Sequence, residues 1–266
     1  MQRKETTSTE HARARLLGHG RARHWLAALL LGLLAGTLGA CGAAEIQPLT
    51  FEPAAWTDGE LSEYRVTDTR GEFVGTLRFA IQQGAAADEW QILREIVGPG
   101  TQDSVTVLVQ GNGFRPQHAD LIRVDSRGEE QIRTVYSGSQ ADLELTTRQD
   151  ITTYERISIT SDVRDEATVL MLVRALPLAQ DYATRVNVFT PILGSMERMT
   201  IEVVERETIT TEAGEFDSWR VTVEGRDRSL GIEAWVAVDA PHPVVKFIDG
   251  RNRGTFELVD FQTGNP

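Results

Sequence analysis

The sequence predicts a mainly β fold: an antiparallel meander curled into an open or closed barrel, with one short buried helix at about residues 162–176. Three observations predict it. From Leu61 onward, short segments rich in Val, Ile, Thr and aromatics alternate with turn residues, the pattern of successive strands. The links between them are mostly hairpin-sized, so neighbours in sequence should pair antiparallel. So many strands in one sheet must curl or close, because long flat sheets and open edges are unfavourable. No repeat of fixed period is present, which argues against a solenoid or propeller.

Taken in order, the chain begins with a polar, basic stretch whose last part carries Arg13, Arg15, Arg21, Arg23 and His24. An apolar run follows, Trp25 to Leu34, and continues in small residues to Leu38-Gly39-Ala40-Cys41. A positive flank, an apolar run and small residues before a cut are the three parts of an export signal. Leu38–Cys41 resembles the lipobox of bacterial lipoproteins. That resemblance implies that the Cys41 thiol takes a diacylglyceryl group, that cleavage removes residues 1–40, and that acyl chains such as palmitate anchor the new first residue. The alternatives are an ordinary secretory signal cut after Ala44, an uncut span, or a buried core segment. A span needs about 20 apolar residues, and Gly32, Gly36 and Gly39 weaken a helix here.

Cys41 is the only cysteine of the 266 residues, so no internal disulfide can form. Acylation would remove a thiol that is a liability at an oxidising surface. Each buried CH₂ contributes about 0.8 kcal/mol, so one chain holds marginally and two or three hold firmly. The expected location is the cell envelope, outside the cytosol, with the protein lipid-anchored to a membrane through Cys41. Gly42 stands where an aspartate would favour retention at an inner membrane, which leans to the outer membrane in a two-membrane bacterium. The expected organisation is a signal at 1–40, a tether at 41–60 containing Pro48 and Pro53, and a β-rich domain at 61–266.

Charge narrows the partners. The whole chain carries −12, and loss of residues 1–40 removes six cations and two acids. The remaining body is more acidic still, which argues against nucleic acid and against electrostatic adhesion to anionic headgroups.

Within the body, Leu61–Thr67 and Glu72–Gln82 flank the turn Asp68-Thr69-Arg70-Gly71. Glu89–Val97 ends at Gly98-Pro99-Gly100, and Ser104–Gln110 runs into Gly111-Asn112-Gly113, a strong hairpin signal. Ala119–Asp125, Glu130–Tyr136, Asp142–Thr146 and Ile151–Thr160 follow as strands. Then the period changes. Asp162 is a suitable N-cap, Asp165 and Glu166 suit the positive helix end, and Pro177 stops the helix. Val169–Leu176 is apolar on nearly every side except Arg174, so this helix should be buried, crossing the sheet or plugging one end. Met199, Ile201 and Val203 resume strand character. Trp219, Val221 and Val223 share one face of a half-buried strand, as do Ile232, Ala234, Val236 and Val238. Val244–Ile248 and Thr255–Phe261 close the chain around the turn 249–254.

Three stretches resemble a family of exported bacterial proteins known only as a domain of unknown function. They are Thr211–Val221 with its Ala-Gly-x-Phe-Asp core, Asp165–Pro177, and Trp235–Asp239 followed by Pro243–Lys246. The resemblance covers about Leu61 to Phe261. It implies a β-rich body with long bent strands, and no activity, cofactor or catalytic residue to carry over.

Chemistry is sparse in the body. His118 and His242 are its two histidines, far apart in sequence, and read as ordinary turn or loop residues. Gly194-Ser195-Met196 is not a nucleophile elbow. Glu205 with Glu207, and Asp165 with Glu166, are carboxylate pairs of the kind expected on a solvated surface. No cofactor and no catalytic residue is expected, and the chain does not read as an enzyme. Curled sheets can enclose an apolar ligand. Trp90, Trp219, Trp235, Phe247 and Phe256 are the candidates to line such a cavity, although filling the interior as plain core is the simpler use for them. The leading function is therefore an envelope protein holding an apolar ligand. The alternative is an interaction lipoprotein docking an envelope protein through a sheet edge or loops. A carboxylate-based hydrolase ranks last.

Overall fold

The computed structural model describes residues 44–53, 56–111, 113–226, 231–250 and 254–264. The signal, Cys41 and the readings made on them lie outside these residues, as do Asn112 and residues 251–253 of the last turn.

The chain forms a single large sheet from two meanders. A short strand β1 (Ile46–Gln47) comes first. The first meander is β2 (Glu60–Thr67), β3 (Phe73–Gln83), β4 (Glu89–Gly98), β5 (Thr101–Gln110), β6 (Arg115–Asp125), β7 (Gly128–Ser137), β8 (Gln140–Thr146) and β9 (Thr152–Ser158). After the short strand β10 (Arg164–Asp165) and helix α1 (Val169–Arg174) comes the second meander. It comprises β11 (Ala183–Thr190), β12 (Ser195–Thr211), β13 (Gly214–Glu224), β14 (Ile232–Ala237), β15 (Val244–Asp249) and β16 (Thr255–Gln262). Within each meander every strand pairs antiparallel with the next, and β16 pairs antiparallel with β2 to join the two. β9 ends one side of the sheet; β11 lies near the other, covered by the short parallel strands β1 and β10. β9 and β11 are not bonded to each other, so the sheet is curled but not closed.

Local chemistry explains the turns. Asp68 Oδ1 accepts from the backbone N–H groups of Arg70 (2.8 Å) and Glu72 (2.9 Å), and Gly71 takes φ 81°. This is an aspartate-anchored turn that only a residue tolerant of positive φ completes easily. Strand alternation does the rest. On β3, Leu77, Phe79 and Ile81 are buried while Thr76 and Arg78 are exposed. One continuous core runs along that inner face and includes residues 169–173 of α1, with Arg174 buried beside them.

The structure alters three sequence readings. The helix is shorter than 162–176. Arg164 and Asp165 add to the edge of β11 opposite Val188 and Phe189, and Asp162 accepts from Asn187 Nδ2 at 3.0 Å. Asp165, not Asp162, caps a 3-10 turn at Glu166–Thr168 by accepting from Ala167 N–H at 2.8 Å, and α1 follows at Val169. The open edge of β11 offers backbone partners that a further helical turn would forgo. Second, the structure adds β11, a strand beyond those the sequence pattern predicts. Val186 and Val188 alternate with Arg185 and Asn187, but the run is short and follows a helix-like stretch. Third, the described part of the segment read as a tether lies on the body. Ile46 and Gln47 pair with Ala183 and Thr184, Glu52 N–H donates to Ala175 O at 2.8 Å, and Trp56 is buried.

Trp56 and Glu60 secure that segment to the end of α1. Trp56 stands edge-on to Phe114 at 5.0 Å and to Trp90 at 6.3 Å. Arg174 lies 5.6 Å over its ring and binds Glu60 at 2.6 Å, and it also donates to the Pro241 and His242 carbonyls at 2.9 Å each. The Arg174 charge is thus buried with every neighbour arranged to receive it.

Candidate functional site

The inner face changes character toward the end of the sheet nearest the start of α1. On β4, Ile92, Arg94 and Ile96 share the inner face, and Ile96 pairs with Asp103 of β5, which pairs with Arg123 of β6. Inward positions that are aliphatic elsewhere therefore become charged here. Opposite stand Phe247 and Phe256, paired across β15 and β16 and stacked at 4.1 Å with rings 5° apart. Leu77 and Phe79 lie between the two walls, and Ala167, Leu170 and Ile192 cover them. The side chains leave a cavity of about 560 Å³. Thr101, Gln102, Asp125, Leu193, Ile232 and Asp249 also border it.

Its charges are mutually compensated. Arg123 donates through Nε (2.9 Å) and Nη2 (2.5 Å) to Asp103 Oδ2. Arg94 lies 3.5 Å from Glu166 and 3.8 Å from Asp103, and its Nε is buried without a hydrogen-bond partner. Burial opposes the Arg94 charge, but Glu166, Asp103 and Asp165 outweigh it and hold the guanidinium above its ordinary pKa. Asp125 is bound by Arg127 (2.6 Å) and Arg148 (3.3 Å). Hydrogen bonds from Arg127 keep its carboxyl well below the usual range.

Behind this layer sits Asp165, fully buried. Tyr136 donates its hydroxyl to Asp165 Oδ2, and Ala167 N–H donates to Oδ1. Burial pushes the Asp165 carboxyl up to about 6, and these hydrogen bonds oppose the rise. The same burial, with Asp165 alongside, carries the Tyr136 hydroxyl well above its ordinary value.

The five aromatic candidates separate. Phe247 and Phe256 line the cavity. Trp90 faces inward at the far end of β4 and packs on Trp56, away from it. Trp219 borders a smaller hollow of about 180 Å³ beside Arg174 and His242, with Arg206 5.6 Å over its ring. Trp235 lies on the outer face, where its Nε1 donates to Glu207 at 2.7 Å and Lys246 covers the ring at 5.5 Å. The alternation of Ala234 and Val236 already places Trp235 opposite them. The sequence reading does not single out Arg94, Asp103 or Arg123, and it names Glu166 only as a helix-start acid and half of a surface carboxylate pair. A usable signal existed: Arg94 shares parity with Ile92 and Ile96, and a charge at an inward position of an apolar strand stands out.

The carboxylate pairs have separate partners. Asp165 is engaged by Tyr136 and Ala167 while Glu166 faces Arg94, and Glu205 and Glu207 meet Arg220 and Trp235 on the outer face. His118 binds Asp120 at 2.7 Å, and His242 Nδ1 lies 3.1 Å from Ala237 O. Such a site can enclose an amphiphile: an apolar chain against the phenylalanines and aliphatic side chains, and a polar group against Arg94 and its neighbours.

Comparison with known proteins adds a family. Residues 63–256 match the family described as protein of unknown function DUF3108. The chain belongs to the DUF3108 family. The match spans most of the sheet, the helical cover, and the Asp165–Pro177 and Thr211–Val221 stretches on which the resemblance rested. No curated protein matches this DUF3108 chain. Three solved structures are similar over most of its length. One is a β-barrel-like protein of the domain of unknown function DUF1849 from Brucella abortus, at 9% identity, 79% of this chain, 99% of that one and a TM-score of 0.49. Another, from Bacteroides fragilis NCTC 9343, is described as an exported protein with a YmcC-like fold (9% identity, 80% and 99% coverage, TM-score 0.29). The third, from Parabacteroides distasonis ATCC 8503, is described as a lipoprotein (12% identity, 81% and 100% coverage, TM-score 0.26).

Proposed function

We propose that this DUF3108 protein is an extracytoplasmic, lipid-anchored envelope protein that holds one acyl-chain amphiphile inside its curled sheet. The cavity of about 560 Å³ carries this reading. It falls within the roughly 300–1,000 Å³ typical of ligand sites, and it combines apolar walls with a few convergent polar groups. A plain core would have filled it, since interiors otherwise pack to crystal-like density. The sequence supports the location through its export-signal pattern and the Leu38–Cys41 resemblance to a lipobox. The body needs no charge attraction to a membrane under that arrangement, in keeping with its acidity.

The test is displacement of a neutral fluorescent apolar probe, N-phenyl-1-naphthylamine, from the purified body. Ala167→Phe and Leu170→Trp enlarge two covering side chains. Each should reduce probe binding at least tenfold while circular dichroism and Tm report a folded protein. Undiminished binding by either folded variant would sink the reading.

A second reading has one observation behind it. β9 is an edge strand with Thr152–Arg156 exposed along its length, including Tyr154 at 75%, next to Ile151 at 58%. Such an edge can add a strand from a partner. Loss of a cross-linked partner from cells carrying Tyr154→Lys would favour it.

A further inference from the structure

The cavity's charges and its hydrogen-bonding capacity tell different stories. Among the described residues, each carboxylate on its wall or rim has a partner. Asp103 has Arg123 and Arg94, Glu166 has Arg94, Asp125 has Arg127 and Arg148, and Asp249 is likewise engaged. Arg94 and Arg123 are balanced by Asp103 and Glu166. A ligand bringing a full negative charge would meet no uncompensated cation and would face carboxylates already in place. Burying such a charge is strongly unfavourable without a counter-charge.

The donors of Arg94 are another matter. A guanidinium carries five N–H groups. The terminal nitrogens of Arg94 have only the two ion-pair contacts at 3.5 and 3.8 Å, beyond the roughly 2.7–3.2 Å of a good N–H···O bond, while its Nε is enclosed by protein. The side chain is only 19% exposed and lines the cavity. An oxygen acceptor that carries no net charge could bond the Arg94 terminal N–H groups and leave the charge balance intact. Ester and amide carbonyls are such acceptors.

Resting on the reading of the cavity as an acyl site, we propose that its occupant is an esterified or amidated acyl chain rather than a free fatty acid, with the carbonyl accepting from Arg94. The chain then lies along Leu77, Phe79, Phe247 and Phe256, and the group beyond the ester reaches the rim.

The experiment is competition against bound N-phenyl-1-naphthylamine at pH 8 with three ligands of equal chain length: monopalmitoylglycerol, palmitate and hexadecane. Monopalmitoylglycerol should displace the probe at a concentration at least tenfold lower than either of the others. Arg94→Met should erase the ester's advantage, so that monopalmitoylglycerol and hexadecane displace the probe at similar concentrations. Arg94→Lys keeps the charge but loses the planar fork and Nε. It should lose most of the ester preference too, and it provides the reading if the Met variant does not fold. Palmitate competing as well as the ester, or an ester preference that survives in folded Arg94→Met or Arg94→Lys, overturns the proposal while the acyl site stands. If neither the probe nor hexadecane binds the wild-type protein, the acyl site itself fails and takes the proposal with it.

Discussion

At the scale of single residues, burial of ionisable groups makes the sharpest predictions. Burial raises the Asp165 carboxyl from 3.8 to about 6, so the folded state holds its proton more tightly than the unfolded chain. Its stabilising contribution is complete below the unfolded value and is lost as pH rises through about 6. Asp165→Asn keeps an acceptor for the Ala167 N–H, offers the Tyr136 hydroxyl an amide N–H to accept from, and cannot ionise. Wild-type stability relative to this variant should therefore fall between pH 4 and pH 6, by on the order of 2–3 kcal/mol, in urea titrations at stepped pH. Arg174 and Glu60 are 1% and 2% exposed, and removing one partner strands the other's charge. Arg174→Met should cost about 3–5 kcal/mol, and adding Glu60→Gln should recover part of it, as a double-mutant cycle in urea would show.

At the scale of elements, strand contact and edge coverage matter most. Gly75 on β3 takes φ 153°, and a Cβ there would sit 2.3 Å from the Val97 carbonyl oxygen of the neighbouring strand. Gly75→Ala should lower stability by about 1–3 kcal/mol, read as a drop in Tm, because backbone and not a flexible side chain must give way. Leu172 in α1 is fully buried, and Leu172→Ala should cost about 2–5 kcal/mol. Hairpin chemistry made most of these elements readable in advance. Asp68–Gly71 is one clear case. The helix was readable as a buried apolar segment but not in its bounds, because Arg164 and Asp165 pair with a strand distant in sequence. β1 and β10 were illegible for the same reason: two residues carry no period, and their partner lies far along the chain.

At the scale of the whole molecule, two meanders joined through β16 and β2 form one curled sheet with α1 and its preceding turn against the inner face. That arrangement places the cavity of about 560 Å³ near the start of α1, while Trp56, Trp90 and Phe114 pack together away from it. Anchoring belongs to this scale as well. Cys41→Ser should abolish incorporation of labelled palmitate and shift the protein from the membrane fraction to the soluble one after cell lysis. Retention of label by the variant would count against the lipobox reading. Of the candidate site, the sequence supplied Phe247 and Phe256 as aromatic residues on late strands. It did not supply Arg94, Asp103, Arg123 and Glu166 as a group, because they come from three strands and a turn.

What the sequence determined alone was the class: strand alternation and turn residues encode an antiparallel meander locally, and the eight-residue stretch Val169–Leu176, apolar except for Arg174, encodes a buried helix. What only the tertiary structure decided was which inward positions meet. Register and curl bring Ile96, Asp103 and Arg123 into one row and set Phe247 and Phe256 opposite them, and both depend on contacts between residues far apart in the chain. Alternation tells a residue which face it occupies, but only long-range pairing tells it what lies across from it.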